Sequence, residues 1–251
     1  MFQKSHTHWI FWGQENEKHT FSTLESSLGT KGAMLSKGPI SYVHRVDQQN
    51  ATYYVKIYSR NGKGLRHYFG RGRLQGEWEN LLYFSKLGIP TPRIVAYGHS
   101  RRNGLFRIGA LITAEVPDSA DLLTLARSHP EMFLKRSWLK SILRQTAEYT
   151  SRLHRHGFIH WDLKWRNILV SQKNSDHPEI YFFDCPLGKT RRGWLRKRGV
   201  IKDLACLDKV GKKVLSRSQR LSFFKYYAGI DKVTTEHKKQ ILQIVNFFTE
   251  E

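Results

Sequence analysis

Apolar positions in the first half of the chain recur at intervals of two. Residues 40–46 and 52–58 (TYYVKIY) alternate β-branched or aromatic residues with polar ones, and the 47–50 group between them (DQQN) has turn composition. That period predicts two half-buried strands joined by a turn. Residues 59–76 (SRNGKGLRHYFGRGRLQG) are rich in glycine and arginine without a sustained apolar period, which predicts an exposed basic loop. The period then changes. Trp78, Leu81, Leu82, Phe84 and Leu87 follow helical spacing, so a helix is expected over 77–87, stopped by Gly88, Pro90 and Pro92. Residues 93–97 and 105–115 read as two more strands. Beyond Pro117 helical spacing dominates, over 121–128 and 138–156, the longer helix carrying Leu139, Ile142, Leu143, Thr146, Tyr149, Thr150 and Leu153 on one face. Residues 158–170 and 180–183 are loop and short strand, and 203–213, 219–227 and 235–248 form a helical tail. The expected layout is an α+β fold of two lobes. A mostly β lobe covers 1–116 and a mostly α lobe covers 117–251, with a hinge at 115–118.

Residues 154–170 (HRHGFIHWDLKWRNILV) carry the chemistry. Within them stands H-x-D-L-K-x-x-N, namely His160, Asp162, Leu163, Lys164 and Asn167, five residue types fixed in eight positions. A hydroxyl attacking a γ-phosphate needs a carboxylate to orient it and take its proton, and Asp162 is placed for that. Lys164, two residues on, can reach the same phosphate and neutralise developing charge. Asn167 offers a side-chain oxygen to Mg²⁺, a hard cation that prefers oxygen ligands. The run resembles the catalytic loop of protein kinases. That resemblance implies a protein-kinase-like fold with an ATP cleft between two lobes, and it implies roles for further residues. Lys56, mid-strand in TYYVKIY, would grip the α/β-phosphates. Glu77, opening the next helix, would pair with Lys56, with Glu79 competing for that place. Asp184, at the end of strand 180–183, would be the second metal carboxylate beside Asn167. Glu115, at the hinge, joins the nucleotide-binding residues. His160 is expected to buttress the loop. Taken singly, Lys56 reads as a solvated strand lysine, Glu77 as a carboxylate at a helix N-terminus and Asp184 as a strand-end acid. Only the ordered set defeats those readings.

Departures from the protein-kinase pattern narrow the class. Trp161 stands where regulated protein kinases carry the Arg that reads an activation-loop phosphate, so that switch is not expected. Cys-Pro-Leu-Gly follows Asp184 in place of Phe-Gly, no A-P-E follows, and only residues 185–202 separate Asp184 from the helix expected at Asp203. That segment is too short to dock a peptide, which favours a small or sugar hydroxyl as acceptor. No G-x-G-x-x-G is present. Gly29, Gly32 and Gly38 are scattered through residues 28–39, where a turn carrying Ser36, Lys37 and Gly38 is expected to cover the phosphates, although a plain hairpin would look the same. The segments YYVKIY, GEWENLLYFSKLGIPTPRIVAYG, HGFIHWDLKWRNILV, FFDCPLGK and IKDLACL resemble the bacterial lipopolysaccharide kinase family, the Kdo and heptose kinases of the inner core. The resemblance implies ATP-dependent phosphorylation of an inner-core sugar hydroxyl. The acceptor would be a lipid-anchored glycan at the cytoplasmic face of the inner membrane.

Charge agrees with an anionic partner. Lys and Arg number 42 against 21 acidic residues, a formal net charge of +21. The basic residues concentrate in 60–73 and 189–202, the second cluster following Asp184 and containing Trp194, which suits a headgroup region or a sugar ring. Two cysteines, Cys185 and Cys206, are too few for a disulfide framework, and a reducing cytoplasmic location is expected. The opening segment has only a short apolar patch at 9–13, neither a signal peptide nor a membrane span, so any membrane association is expected to be peripheral. An aminoglycoside-type kinase would call for an acidic pocket, which this basic chain disfavours. An atypical protein kinase is disfavoured by the short segment after Asp184. A pseudokinase scaffold conflicts with the full set of catalytic residue types. A basic nucleic-acid-binding module would need a phosphate-tracking surface, and no nucleic-acid partner is expected.

Overall fold

The computed structural model describes residues 5–48, 51–62, 71–172, 175 and 177–249. The end of the 47–50 turn and most of the basic 60–73 cluster lie outside the described residues. The chain packs as two compact units, Met1–Glu79 with Pro92–Val116, and Asn80–Thr91 with Pro117–Glu251.

The first unit is an antiparallel sheet of β1 (Ser5–Phe11), β2 (Ala33–Lys37), β3 (Ser41–Gln48), β4 (Ala51–Tyr58), β5 (Ile94–Arg102) and β6 (Leu105–Ala114). The strand order is β1-β5-β6-β4-β3-β2. Period-two alternation explains β4: Tyr53, Val55 and Ile57 are buried on one face, against Ala96, Ala110 and Ile112 of the neighbouring strands. Phe21 and Leu24, from the short helices α1 (Glu15–Phe21) and α2 (Leu24–Leu28), close that core. β1 was not expected from the sequence. It is held by backbone pairing to β5, where Gly98 admits close crossing; a Cβ there would sit 2.1 Å from the His8 carbonyl oxygen.

Helix α3 (Arg73–Lys86) starts four residues before the expected Glu77, because Leu74 is buried and Gly76 N–H already donates to Gly72 O. It ends where expected. Gly88 adopts φ +66° and the Ile89 amide reaches back to Phe84 O, a glycine-terminated helix end.

The second unit gathers α4 (Leu122–Ser128), α5 (Arg136–Arg155), α6 (Gly193–Val214), α7 (Arg217–Ala228) and α8 (Thr235–Asn246) around short strands. These strands are β7 (Ala120–Asp121), β8 (Phe158–Ile159), β9 (Ile168–Ser171), β10 (Glu179–Phe182) and β11 (Lys189–Thr190). α5 buries Trp138, Leu139, Ile142, Leu143 and Leu153 along one stripe, each large side chain contributing about 1.5–3 kcal/mol. Capping fixes the later helices: Ser216 caps α7 with a reciprocal Gln219 contact, and Gly229 ends it at φ +67°. The main departure is α6, which begins at Gly193 and not at Asp203. Its first turns carry Arg and Lys all round, so no apolar period announces them.

Candidate active site

Six of the sequence-derived residues lie in the first unit. The pleat of β4 turns Lys56 away from the face that buries Val55 and Ile57, and its Nζ meets Glu77 of α3 at 2.9 Å (Oε1) and 2.7 Å (Oε2). Glu77 is buried, and Tyr58 OH donates a second hydrogen bond to its Oε2. The Lys56 ammonium also lies 5.5 Å from the centre of the Tyr58 ring. Glu79 is engaged elsewhere, accepting from Arg71 Nε at 2.6 Å and from Gln75 Nε2 at 2.8 Å, so the competition for Lys56 is decided by the helix face. Ser36 and Lys37 sit on β2, an exposed strand that is irregular between Met34 and Ser36. Gly38 begins the turn into β3, its amide donating to Ser41 O. Glu115 follows β6; its amide donates to Thr52 O and its carboxylate accepts from Tyr54 OH at 3.0 Å. Burial, and then that carboxylate, push the Tyr54 hydroxyl up to about 12, so it stays a donor.

The other four residues lie in the second unit, on the loop between β8 and β9 and just beyond β10. Asp162 is partly exposed and paired with Lys164 Nζ at 2.5 Å, with Arg166 Nη2 at 3.7 Å. Asn167 is buried and its Nδ2 donates to Asp162 O at 2.9 Å, which leaves its Oδ1 as the atom that could take a metal. The β9–β10 register pairs Ile168 with Phe182, and Phe183 N–H donates to Asn167 O at 3.2 Å. The next residue along, Asp184, takes φ +54°, a conformation that costs a non-glycine residue about 1–3 kcal/mol and recurs at functional sites. Asn167 and Asp184 provide hard oxygen donors, few in number, which suits Mg²⁺ sharing its shell with phosphate and water.

Four supporting side chains were not singled out from the sequence. Asp203, fully buried on α6, accepts the amides of His160 at 2.7 Å and Trp161 at 2.8 Å. It thereby holds Trp161 at φ +68°, directly before Asp162. His154 and Tyr227 complete this network: His154 Nε2 lies 3.3 Å from Asp203 and its Nδ1 2.9 Å from Tyr227 OH. The available signal was an acid set in the apolar run IKDLACL. Asn80 on α3 donates to Cys185 O at 2.6 Å and Gly188 O at 3.0 Å, shaping the turn after Asp184. Gly188 is required there, since a Cβ would lie 2.4 Å from Cys185 Sγ. His160 is buried against Phe84, and burial holds its imidazole below the usual range, so it stays neutral.

A Lys–Glu pair on a β-sheet unit, and an Asp–Lys–Asn loop followed by a strand-end Asp on a helical unit, are the residue types that a phosphotransferase of the protein-kinase-like fold calls for. Comparison with known proteins is more specific. The sequence model of the lipopolysaccharide kinase (Kdo/WaaP) family matches residues 28–227, and the chain belongs to that family. The solved structure of WaaP in complex with acyl carrier protein superposes with a TM-score of 0.72, covering 97% of this chain and 98% of that one at 17% identity, a likeness of fold. Among curated proteins, the serine/threonine-protein kinase ArnS of Sulfolobus acidocaldarius is 26% identical over 167 residues, 59% of this chain but only 26% of that protein. The chain is thus a kinase, and its family implies ATP as phosphate donor.

Proposed function

We propose that the protein phosphorylates a sugar hydroxyl, on Kdo or heptose, of the lipopolysaccharide inner core. The observation that carries the mechanism is the double use of Asn167. Its side-chain nitrogen fixes the Asp162 backbone and its own carbonyl fixes Phe183, so base and metal carboxylate are built into one cluster. Asp162 orients the acceptor hydroxyl and takes its proton. Lys164, already at Asp162, offsets charge on the transferred phosphoryl group. Lys56 holds the α/β-phosphates, kept in place by Glu77 and Tyr58. The hairpin carrying Ser36, Lys37 and Gly38 covers the phosphates, and Glu115 stands at the base end of the nucleotide. Asn167 Oδ1 and Asp184 would hold Mg²⁺, which would supply positive charge against the phosphates. The acceptor is lipid-borne, and the kinase meets it from the cytoplasmic face of the inner membrane. That association is peripheral in this reading; no helix among the described residues is long and apolar enough to cross a bilayer.

The test of acceptor class is a competition. With γ-labelled ATP, the protein is offered lipopolysaccharide lacking core phosphate, a general protein substrate and an aminoglycoside. Label in the core oligosaccharide alone supports the reading, and label in protein or drug rejects it.

The acyl carrier protein bound to the WaaP neighbour favours a second partner of this kind. A cavity of about 480 Å³ in the second unit, lined by Leu139, Leu143, Leu207, Phe224, Ile241 and Ile244, has the lining an acyl chain requires. Filling it with Leu143→Trp abolishes binding of acylated carrier protein if the partner is correct, whereas undiminished binding excludes this cavity.

A further inference from the structure

The beginning of α6 is built unlike the rest of the second unit. Every residue from Arg192 to Arg198 is exposed, with Arg196 Nη2 donating to His154 O at 2.9 Å and Arg198 over the Phe247 ring. At this end Trp194 is 69% exposed and Leu195 44%, with Leu187 of the preceding turn at 40%. Between Lys189 and Lys202 there are seven basic residues and no acidic one. Trp194 lines a broad groove with Arg155, Arg196, Lys197 and Tyr226, Glu148 and Glu236 also on its walls, and stays largely exposed there. A solvated basic face explains the cations but not a Trp–Leu pair held in water.

We propose that the N-terminal end of α6 is a docking surface for an anionic phospholipid bilayer. Trp194 and Leu195 enter the headgroup and upper acyl region while the surrounding Lys and Arg meet lipid phosphates. Charge complementarity chooses this occupant: the exposed Arg192, Arg196, Lys197 and Arg198 beside an aromatic–aliphatic pair match an acidic leaflet, and tryptophan favours the depth where one edge stays wet. A sugar-stacking site would hold the ring against a pocket wall instead.

The surface is fastened to the catalytic loop. β11 pairs with β8 through Lys189 and Ile159, and Arg191 N–H donates to Gly157 O at 2.8 Å. Gly199 of α6 lies so close to Ile159 that a Cβ would approach it to 2.6 Å. β8 leads directly into Asp162, so docking fixes how the loop faces the bilayer. The proposal deepens the reading of a lipid-borne acceptor and rests on it for the choice of lipid. Its test uses no catalysis.

The experiment is co-sedimentation of the full chain with vesicles of phosphatidylglycerol and phosphatidylcholine, or of phosphatidylcholine alone, without nucleotide. The expected result is binding to the anionic vesicles only, weakened steeply by salt. Trp194→Ser/Leu195→Ser and Arg192→Glu/Lys197→Glu each lower it at least tenfold, at unchanged far-UV circular dichroism. Arg107→Glu/Lys140→Glu, an equal charge change elsewhere, leaves binding within twofold, and Asp162→Ala binds as wild type. Three results would overturn the proposal. These are no vesicle binding, equal losses in the two charge-reversal variants, or a patch that binds lipid-free core oligosaccharide and ignores vesicles.

Discussion

At the scale of single residues the account rests on two buried carboxylates with different duties. Glu77 answers Lys56, and its removal frees an ammonium to wander from the position the phosphates require. Lys56→Met removes that ammonium and is expected to lower phosphoryl transfer by about 10²- to 10³-fold and, because it leaves the buried Glu77 carboxylate without its cation, to lower the melting temperature as well, measured by steady-state kinetics beside a melting curve. Asp203 answers two backbone amides, and its removal leaves both buried without an acceptor. Hydrogen bonds to a charged group are worth about 1.5–3 kcal/mol each, so Asp203→Ala is expected to cost about 3 kcal/mol or more in denaturant unfolding and to lower activity as well. A loss of activity without loss of stability would contradict the positioning role. Asp162, Lys164 and Asn167 were legible in the sequence because their spacing is local and the loop brings them together over a few residues. Asp203 was not, because its duty depends on a backbone contact across 42 positions that no periodicity encodes.

At the scale of elements, legibility followed amphipathic periodicity. β4, α5 and the end of α3 were readable because one face of each is buried and the other is not. β1 was hidden by a polar sequence (SHTHWIF) that pairs through its backbone, and the start of α6 by turns that bury nothing. The contact of α6 with β8 is a second such feature. A Gly199→Ala change gains about 1 kcal/mol of helix propensity but must displace Ile159, and overpacking typically costs about 1–3 kcal/mol. Net destabilisation is expected in urea unfolding, and a stabilised variant would refute the close approach.

The β1–β5 pair carries a pH dependence. His99 on β5 accepts from Arg101 Nε at 3.0 Å and faces His8, with the charge of His6 also acting on it. Burial, and then the Arg101 charge, hold its imidazole down to about 4 against an ordinary 6.5. The folded value lies below the unfolded one, so the neutral ring's contribution is complete above about pH 6.5 and is lost as pH falls towards 4. In His99→Gln the decline in stability across that window is expected to flatten, as read from melting temperatures between pH 7 and 4. An unchanged decline would assign the acid sensitivity to other groups.

At the scale of the whole molecule, a net charge of +21 and membership of the lipopolysaccharide kinase family both favour the proposed anionic acceptor. The proposed acceptor, an anionic, lipid-borne glycan, is compatible with both the Asp162 loop and the basic surface beside it. Charge alone selected only the sign of the partner. The short segment after Asp184 disfavoured a peptide-docking segment, and the family match supplied the class of kinase. The most direct measurement is transfer from γ-labelled ATP with Mg²⁺ to lipopolysaccharide lacking its core phosphates, run beside Asp162→Ala, with the labelled sugar identified after hydrolysis. The account predicts label on a Kdo or heptose residue with the intact protein and a loss of at least 10²-fold in the variant, as expected of a general base. Label that appears equally with Asp162→Ala, or no label in the core sugars while ATP is bound, would contradict it.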